Sequence, residues 1–437
     1  MSNMVPRRVV VTVIVFVSVI ALLVLHGISK EYTGILNSQK SGLVDVARLW
    51  RDSGQREGSG QDSNNTSSVQ WQPNLPFKNA LSQEEIKDTQ NLVRILEADG
   101  PDAESNPSCK RRNNIGFFKM HKCGSSTVQN ILMRYGVRHL LNFVLPPSGN
   151  YLGQSYFNKH FMMSFPVHEY NILCHHTRFS KEGFASVLPA DSAYVTIIRD
   201  PGTMFESTYT YLQYQHRYGV PLTTFLENPS SYYEPNGGKN HAKDSMLYDL
   251  GLEEQFKTNA AEVDRKIQRI STEFDLVMMT EHFSESLILL KDLMCWDFQD
   301  IAYFKMNARS PSSVKSVSEE TMKKIRKWND GDTKLYNFFN RTFWDKVQAF
   351  GEERMRREVA KLEDMNKMMK DRCIDKVITN DQHVWHPSGI AVESFKLKPS
   401  VEHDEDCQMM AKTELPFTAY VRQRQLAKYF GHKAPVL

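Results

Sequence analysis

Three short apolar runs constrain the fold of this chain more than any other feature. "IGFFKM" (115–120), "AYVTII" (193–198) and "FDLVMMTEHF" (274–283) each lead through a turn into a segment of helical periodicity. After the first, Val128, Ile131, Leu132 and Tyr135 fall at i, i+3, i+4 and i+7, one face of a helix. After the second, "RDPGTMFESTYTYLQYQ" turns through Pro201 into a helix, and "SESLILLKDLMCW" follows the third. Later helices are expected over 319–328, 333–348 and 351–370. Strands that are apolar on both faces belong inside a parallel sheet. Their alternation with helices predicts an α/β domain, a central parallel sheet flanked by helices, over 109–437.

The N-terminus predicts a membrane anchor. Val9 to Leu25 is a run of 17 residues without charge, and extension to Ile28 makes it 20, about the length that spans a bilayer. Arg7 and Arg8 precede it, which orients residues 1–8 to the cytoplasm and the bulk of the chain to the other side. Residues 9–28 are thus read as an uncleaved signal anchor, a cleaved signal peptide being the rival. Residues 29–108 read as a stem, polar and rich in Gly and Ser over 51–68, with one short helix near 84–97. Asn64, Asn65 and Asn340 begin glycosylation sequons, weak support for a lumenal location.

Lys+Arg is 54 and Asp+Glu 51, so the net charge of +3 offers no case for nucleic-acid binding, and any polyanion site must be a local patch. The six cysteines contain no C-x-x-C pair, against a zinc ribbon. A few disulfides are expected if the domain is lumenal, with the pairing open.

The first strand runs into "HKCGSST". A helix N-terminus offers free N–H groups and partial positive charge to an anion. Gly124 lets the backbone come close, Ser125, Ser126 and Thr127 add hydroxyls, and Lys122 adds a point charge. The lysine precedes the glycine, and no G-x-x-x-x-G-K-[ST] occurs in the chain, which counts against a P-loop ATPase or kinase. Lys122 is instead suited to neutralising a leaving group. The second strand ends in Arg199, with Ser207 eight residues on, and ligands of doubly wound sheets bind off the carboxyl ends of the strands. Arg199 and Ser207 are suited to a second phosphate; the competing reading is a salt bridge between Arg199 and Asp200.

K-x-G-S-S-T after one strand and R-D-P after another, with Ser eight beyond the Arg, resembles the sulfotransferases that use 3′-phosphoadenosine 5′-phosphosulfate (PAPS). "FFKMHKCGSSTVQNILMRYG", "NILCHHTRF", "LLKDLMCWDFQDIAYFKMNARSPSSV" and "LYNFFNRTFWDKV" resemble the galactose 3-O-sulfotransferases, type II Golgi membrane enzymes, over roughly 110–350. The resemblance implies a P-loop-like parallel sheet and PAPS as co-substrate with no metal. It implies transfer to the 3-hydroxyl of galactose on a glycolipid or glycoprotein, in the Golgi lumen. It places Lys122, Cys123, Gly124, Ser125, Ser126 and Thr127 at the phosphosulfate and Arg199 and Ser207 at the 3′-phosphate. Arg309, in the loop "NARSPSSV" (307–314), is a candidate for a further phosphate contact. Met120 and Cys123-Gly124 depart from the family pattern, which has Thr before the His and Thr-Ala or Thr-Gly after the Lys; the departure sets a thiol beside the donor.

Transfer to a hydroxyl needs a base, and histidine titrates near the pH of such a lumen. His121, His160, His175 and His176 are candidates. His176 is favoured and His175 second, because the related uronyl 2-O-sulfotransferases carry a histidine base in a similar segment; structural histidines are the rival reading. "DGD" (330–332) invites a metal reading, but Asp332 is more simply a helix N-cap. "HDED" (403–406) reads as a solvated acidic turn, and Met355, Val359, Leu362, Met365 and Met369 as a packing stripe. A glycosaminoglycan acceptor, or a membrane-anchored binding protein without turnover, are the alternatives, and the oligomeric state is open, a homodimer included.

Overall fold

The computed structural model describes residues 109–234, 240–310, 313, 317–379, 381, 384 and 390–431. The expected anchor over 9–28, the stem and the helix near 84–97 lie outside them. Among the described residues no helix is long and apolar enough to cross a membrane.

The chain enters through β1 (Ile115–Phe118) and α1 (Ser125–Arg138), then forms β2 (Tyr151–Tyr156), β3 (Ile172–Leu173) and β4 (His176–Arg178). β5 (Ala193–Ile198) leads into α2 (Pro201–Tyr211), and after α3 (Ser245–Asp249) and α4 (Ala260–Glu273) comes β6 (Leu276–Met279). The rest is α5 (Phe283–Met294), α6 (Glu319–Trp328), α7 (Asp330–Phe350) and α8 (Glu352–Cys373), the hairpin β7 (Ile374–Thr379) and β8 (Glu393–Leu397), α9 (Glu405–Ala411) and α10 (Glu414–Phe430). The predicted β5 and α6 match residue for residue.

β3, β1, β5 and β6 lie side by side in that order, all parallel. Every residue of β1, β5 and β6 is buried, as continuous apolar strands require. The chain leaves β1 for β3 on one side and leaves β5 for β6 on the other. The direction therefore reverses between β1 and β5, and a crevice opens off their carboxyl ends. Lys119 to Gly124 and Arg199 occupy that edge, with Thr280 after β6 and Cys174 after β3.

The predicted face of α1 is buried, and so are Gln129, Asn130 and Arg134 behind it. The cause is the C-terminal segment. Asn130 Nδ2 donates to the carbonyls of Met409 (3.0 Å) and Lys412 (3.1 Å), so the strip between α9 and α10 covers the face turned from the sheet. Disulfides join Cys109 to Cys295 and Cys373 to Cys407, the second tying the end of α8 to α9. Cys123 and Cys174 are free and buried.

Two sequence expectations change here. Asp332 is not the cap of its own helix. Its carboxylate accepts from the backbone N–H groups of Met246 (3.0 Å) and Leu247 (2.9 Å), capping α3, while Asp244 Oδ1 accepts from Asp332 N (2.9 Å). The acidic turn is not simply solvated: Asp404 caps α9 through Cys407 N (2.9 Å) and pairs with Arg372, and Asp406 pairs with Arg138. The stripe on α8 packs as expected, with Met355, Leu362 and Met365 buried.

Candidate active site

The loop after β1 turns through two left-handed residues, Lys122 (φ 58°) and Gly124 (φ 73°), the second of which is the N-cap of α1. A non-glycine residue in that region is uncommon and is held there by its surroundings. Arg199 Nη1 donates to the Lys122 carbonyl (3.2 Å), and Thr280 Oγ1 lies 2.8 Å from the Cys123 carbonyl and 2.9 Å from that of Ile198. β5 and β6 thus clamp the loop that β1 supplies. The first turn of α1 contains no acidic residue.

Not every side chain of the loop faces outward. Ser125 Oγ donates to the Met120 carbonyl (2.5 Å), Thr127 Oγ1 accepts from Met306 N (3.0 Å), and the Cys123 thiol points into the core, 3.3 Å from the His121 carbonyl. These three brace the loop with their side chains, so a ligand meets them through backbone. Burial pushes the Cys123 thiol well above its ordinary range, which removes it as a thiolate beside a donor. Ser126 remains at the site, where its hydroxyl donates to Glu414 Oε2 (2.7 Å).

Lys122 carries the strongest electrostatic signal. Burial, and then the charges of Arg309, Arg199 and Lys119, lower it from 10.5 to about 7. Its Nζ lies 3.7 Å above the ring of Tyr211, the last residue of α2. Four cations thus converge on the crevice without matching carboxylates on Lys122 itself, as expected of a site built for a polyanion. The Arg199–Asp200 salt bridge is not formed: Asp200 pairs instead with Arg326 and caps α2 through Gly202 N (2.8 Å). Ser207 is buried on α2. Arg309 reaches the cluster while forked onto Glu206 (3.1 and 2.6 Å), the residue before Ser207. That fork engages two of its donors.

The histidines separate sharply. His160 sits in an exposed turn with its own cap, Asn158. His175 is fully buried; burial, Lys119 and Arg422 push it down to about 3, and its Nε2 meets Thr418 on α10 (3.2 Å). His176 lies at the site, but both ring nitrogens are engaged. Nδ1 donates to the Lys119 carbonyl (3.1 Å), and Nε2 accepts from the Lys119 ammonium (2.8 Å). Burial and that ammonium hold it well below the ordinary histidine range. A proton arriving at Nε2 would face a buried cation, so this geometry speaks against His176 and His175 as the base.

It favours His121. This ring is partly exposed, its Nδ1 is on Asp249 Oδ2 (2.6 Å), and its Nε2 looks into the crevice with Tyr151 Oη at 3.2 Å. The other oxygen of Asp249 accepts from His241 Nε2 (2.9 Å). Burial alone would raise this carboxyl, yet His241 and His121 outweigh it and hold it far below the ordinary range. His121, His241 and Asp249 also form a three-group cluster with potential metal ligands within 4.8 Å of one another. The 2.6 and 2.9 Å separations are those of two imidazole N–H donors on one carboxylate, which turns the Nε2 lone pair of His121 to the crevice, where the neutral Tyr151 hydroxyl lies against it.

Sequence reasoning missed Lys119, Tyr151, Tyr211, His241, Asp249 and Glu414. Lys119 stands inside the loop motif and was legible as a third base there. The others lie far along the chain and carry no local signal. Glu414 opens α10 and accepts from Lys119 (3.0 Å), Ser126 and Asn150, which brings the start of α10 onto the loop.

A parallel sheet with a cationic crevice at its switch point, and an oriented histidine beside it, defines a group-transfer site for an anionic donor. The chain matches the galactose-3-O-sulfotransferase family profile over residues 72–425. It is 36% identical to human galactosylceramide sulfotransferase over 343 residues, 74% of this chain and 80% of the relative. It is 32% identical to pig galactose-3-O-sulfotransferase 2 (80% of this chain, 90% of the relative) and 33% identical to mouse galactose-3-O-sulfotransferase 3 (74% and 81%). The chain belongs to the galactose-3-O-sulfotransferase family.

Proposed function

We propose that this protein transfers the sulfuryl group of PAPS to the 3-hydroxyl of a galactose-terminated glycolipid or glycoprotein, as an enzyme anchored in the Golgi membrane with its catalytic domain in the lumen. The observation that carries the reading is Lys122, pushed down to about 7 by burial and a crowd of cations beside an oriented histidine. PAPS brings an activated sulfuryl group and three phosphate or sulfate anions, and the crevice offers the complementary charge. The first-turn N–H groups of α1, Gly124 and Ser126 would hold the phosphosulfate, while Arg199, Ser207 and the Glu206-held Arg309 would serve the 3′-phosphate.

His121 Nε2 takes the proton from the acceptor hydroxyl, and Asp249 keeps its Nδ1–H in place and stabilises the imidazolium. Lys122, in its ammonium form, neutralises the charge that develops as the bond from sulfur to the bridging oxygen breaks. Lys119 and His176 brace one another beneath His121, whose ring stacks on that of His176 at 4.2 Å. Two disulfides and the apolar run over 9–28 support the lumenal placement.

The test is transfer of labelled sulfate from PAPS by the detergent-solubilised full-length protein. Its acceptors are galactosylceramide, terminal β-galactosides of N-glycan and mucin type, and heparan precursors. Label on galactosides, lost when the 3-hydroxyl is methylated, is the expected result. Label on heparan precursors alone would replace galactose with a glycosaminoglycan, and PAPS binding without transfer to any acceptor would point to a binding protein.

A further inference from the structure

Tyr151 is one of the few large aromatic residues left exposed in the described structure, at 45%, and it stands at the reaction centre. The cause is strand register: in the small parallel sheet Tyr151 of β2 pairs with His176 of β4. Its ring therefore lies nearly parallel to that of His176 (4.9 Å, 21°) and of His121 (6.0 Å, 29°). His176 is locked by Lys119 on both nitrogens and His121 is held by Asp249 on one, so the two histidine rings beside Tyr151 are kept in place.

The hydroxyl of Tyr151 is 3.2 Å from His121 Nε2. Asp249 holds the other nitrogen, so Nε2 is where a proton can be received. A substrate hydroxyl must come within about 2.6–3.2 Å of that same atom. Two hydroxyls cannot both occupy it. Burial, with the Glu414 and Asp249 carboxylates, pushes the Tyr151 phenol up to about 12, so the group there is a neutral O–H, the same kind of donor as a sugar hydroxyl. Tyr151 opens its strand one residue after the exposed 147–149 turn, and 45% of it faces solvent. Galactose, with its axial 4-hydroxyl, presents the C–H groups of C3, C4 and C5 as one apolar face, the surface that an aromatic ring stacks against.

Resting on the functional reading above, we propose that Tyr151 is the acceptor-positioning residue: its hydroxyl holds the place of the reacting sugar hydroxyl on His121 Nε2, and once displaced its ring is the floor on which the galactose stacks. The placeholder keeps the lone pair of the base covered between turnovers. The ring discriminates for a sugar with an apolar face.

Steady-state kinetics with an alkyl β-galactoside and PAPS test this on wild type, Tyr151→Phe and Tyr151→Ala, with calorimetric binding of the desulfated donor as the check that each variant is folded. Tyr151→Phe keeps the ring and removes the placeholder, so its acceptor KM is equal to or below that of wild type and its kcat lies within about twofold. Tyr151→Ala loses the floor, so its acceptor KM rises about tenfold while donor affinity is unchanged. An unchanged acceptor KM in Tyr151→Ala overturns the inference. So does a Tyr151→Phe variant that loses kcat, because the hydroxyl would then belong to the chemistry. Wild-type enzyme inert on every galactoside overturns the functional reading and this inference with it.

Discussion

The loop from Lys119 to Thr127 and the wall facing it, made of Tyr151, His241, Asp249 and Glu414, hold charge in opposite ways. On the wall each charge has its partner: Asp249 lies between two imidazoles, and Glu414 receives Lys119, Ser126 and Asn150. Around Lys122 the cations crowd, and it falls to about 7 because burial and then Arg309, Arg199 and Lys119 oppose its charge. On the function proposed above, the difference follows from what each side would meet. An anionic donor supplies the missing charge to the loop. A neutral sugar hydroxyl would supply none, so the carboxylates of the wall are already paired before a substrate arrives.

That contrast can be broken most forcefully at the base. His121→Ala is expected to lower kcat by about 10²–10⁴ with donor binding intact, whereas His176→Gln, which keeps a hydrogen-bonding side chain against Lys119, loses no more than about tenfold. Equal losses in single-turnover rates would return the proton transfer to His176. Next comes the loop itself. Lys122→Ala should cost about 10²–10³ in kcat, the range found for removing one charge-stabilising donor. A loss confined to KM for PAPS would make Lys122 a binding residue only.

The pH dependence of donor binding sharpens the same comparison. In the free protein Lys122 loses its proton near pH 7, and a bound polyanion must raise that value. Donor affinity should therefore be flat below pH 7 and weaken above it, by up to about tenfold per unit. Calorimetry in buffers of different ionisation enthalpy would show the proton uptake, and Lys122→Ala should abolish it. The sign for the free fold is opposite in sense. Because the unfolded chain binds this proton more tightly, the contribution of Lys122 to stability rises with pH between about 7 and 10.5. The smallest effect is expected at Cys123. Cys123→Ala removes a buried thiol and should lower stability by about 1 kcal/mol in denaturant melts, with donor affinity within about twofold. A large loss of donor affinity would put the thiol back in the site.

The loop after β1 was legible because it is contiguous. A strand, a glycine-bearing turn and a helix N-terminus follow one another over residues 115–127, and each residue type has a local physical reason. Arg199 could be added because the end of an apolar strand names its own sheet edge. The histidines could not be ranked from sequence, for an equally physical reason. "CHHTRF" shows two histidines near a strand end, but nothing local says that Lys119 engages both nitrogens of His176 or that His175 turns toward α10. His121 looked like part of the loop because its orienting carboxylate, Asp249, lies 128 positions away. Asp332 shows the same limit on a smaller scale, since its carboxylate caps a helix 85 residues distant rather than its own.

Apolar periodicity in the sequence determined the parallel sheet, its covering helices and the cationic loop at its edge, because burial and helix-terminus electrostatics act over a few residues. Only the tertiary structure decided which histidine turns its Nε2 to the crevice, which serine and threonine side chains brace the loop, and that the α10 helix delivers Glu414 to it. Those outcomes depend on which distant side chains complete each hydrogen-bonding group, and the packing of the whole domain sets that pairing.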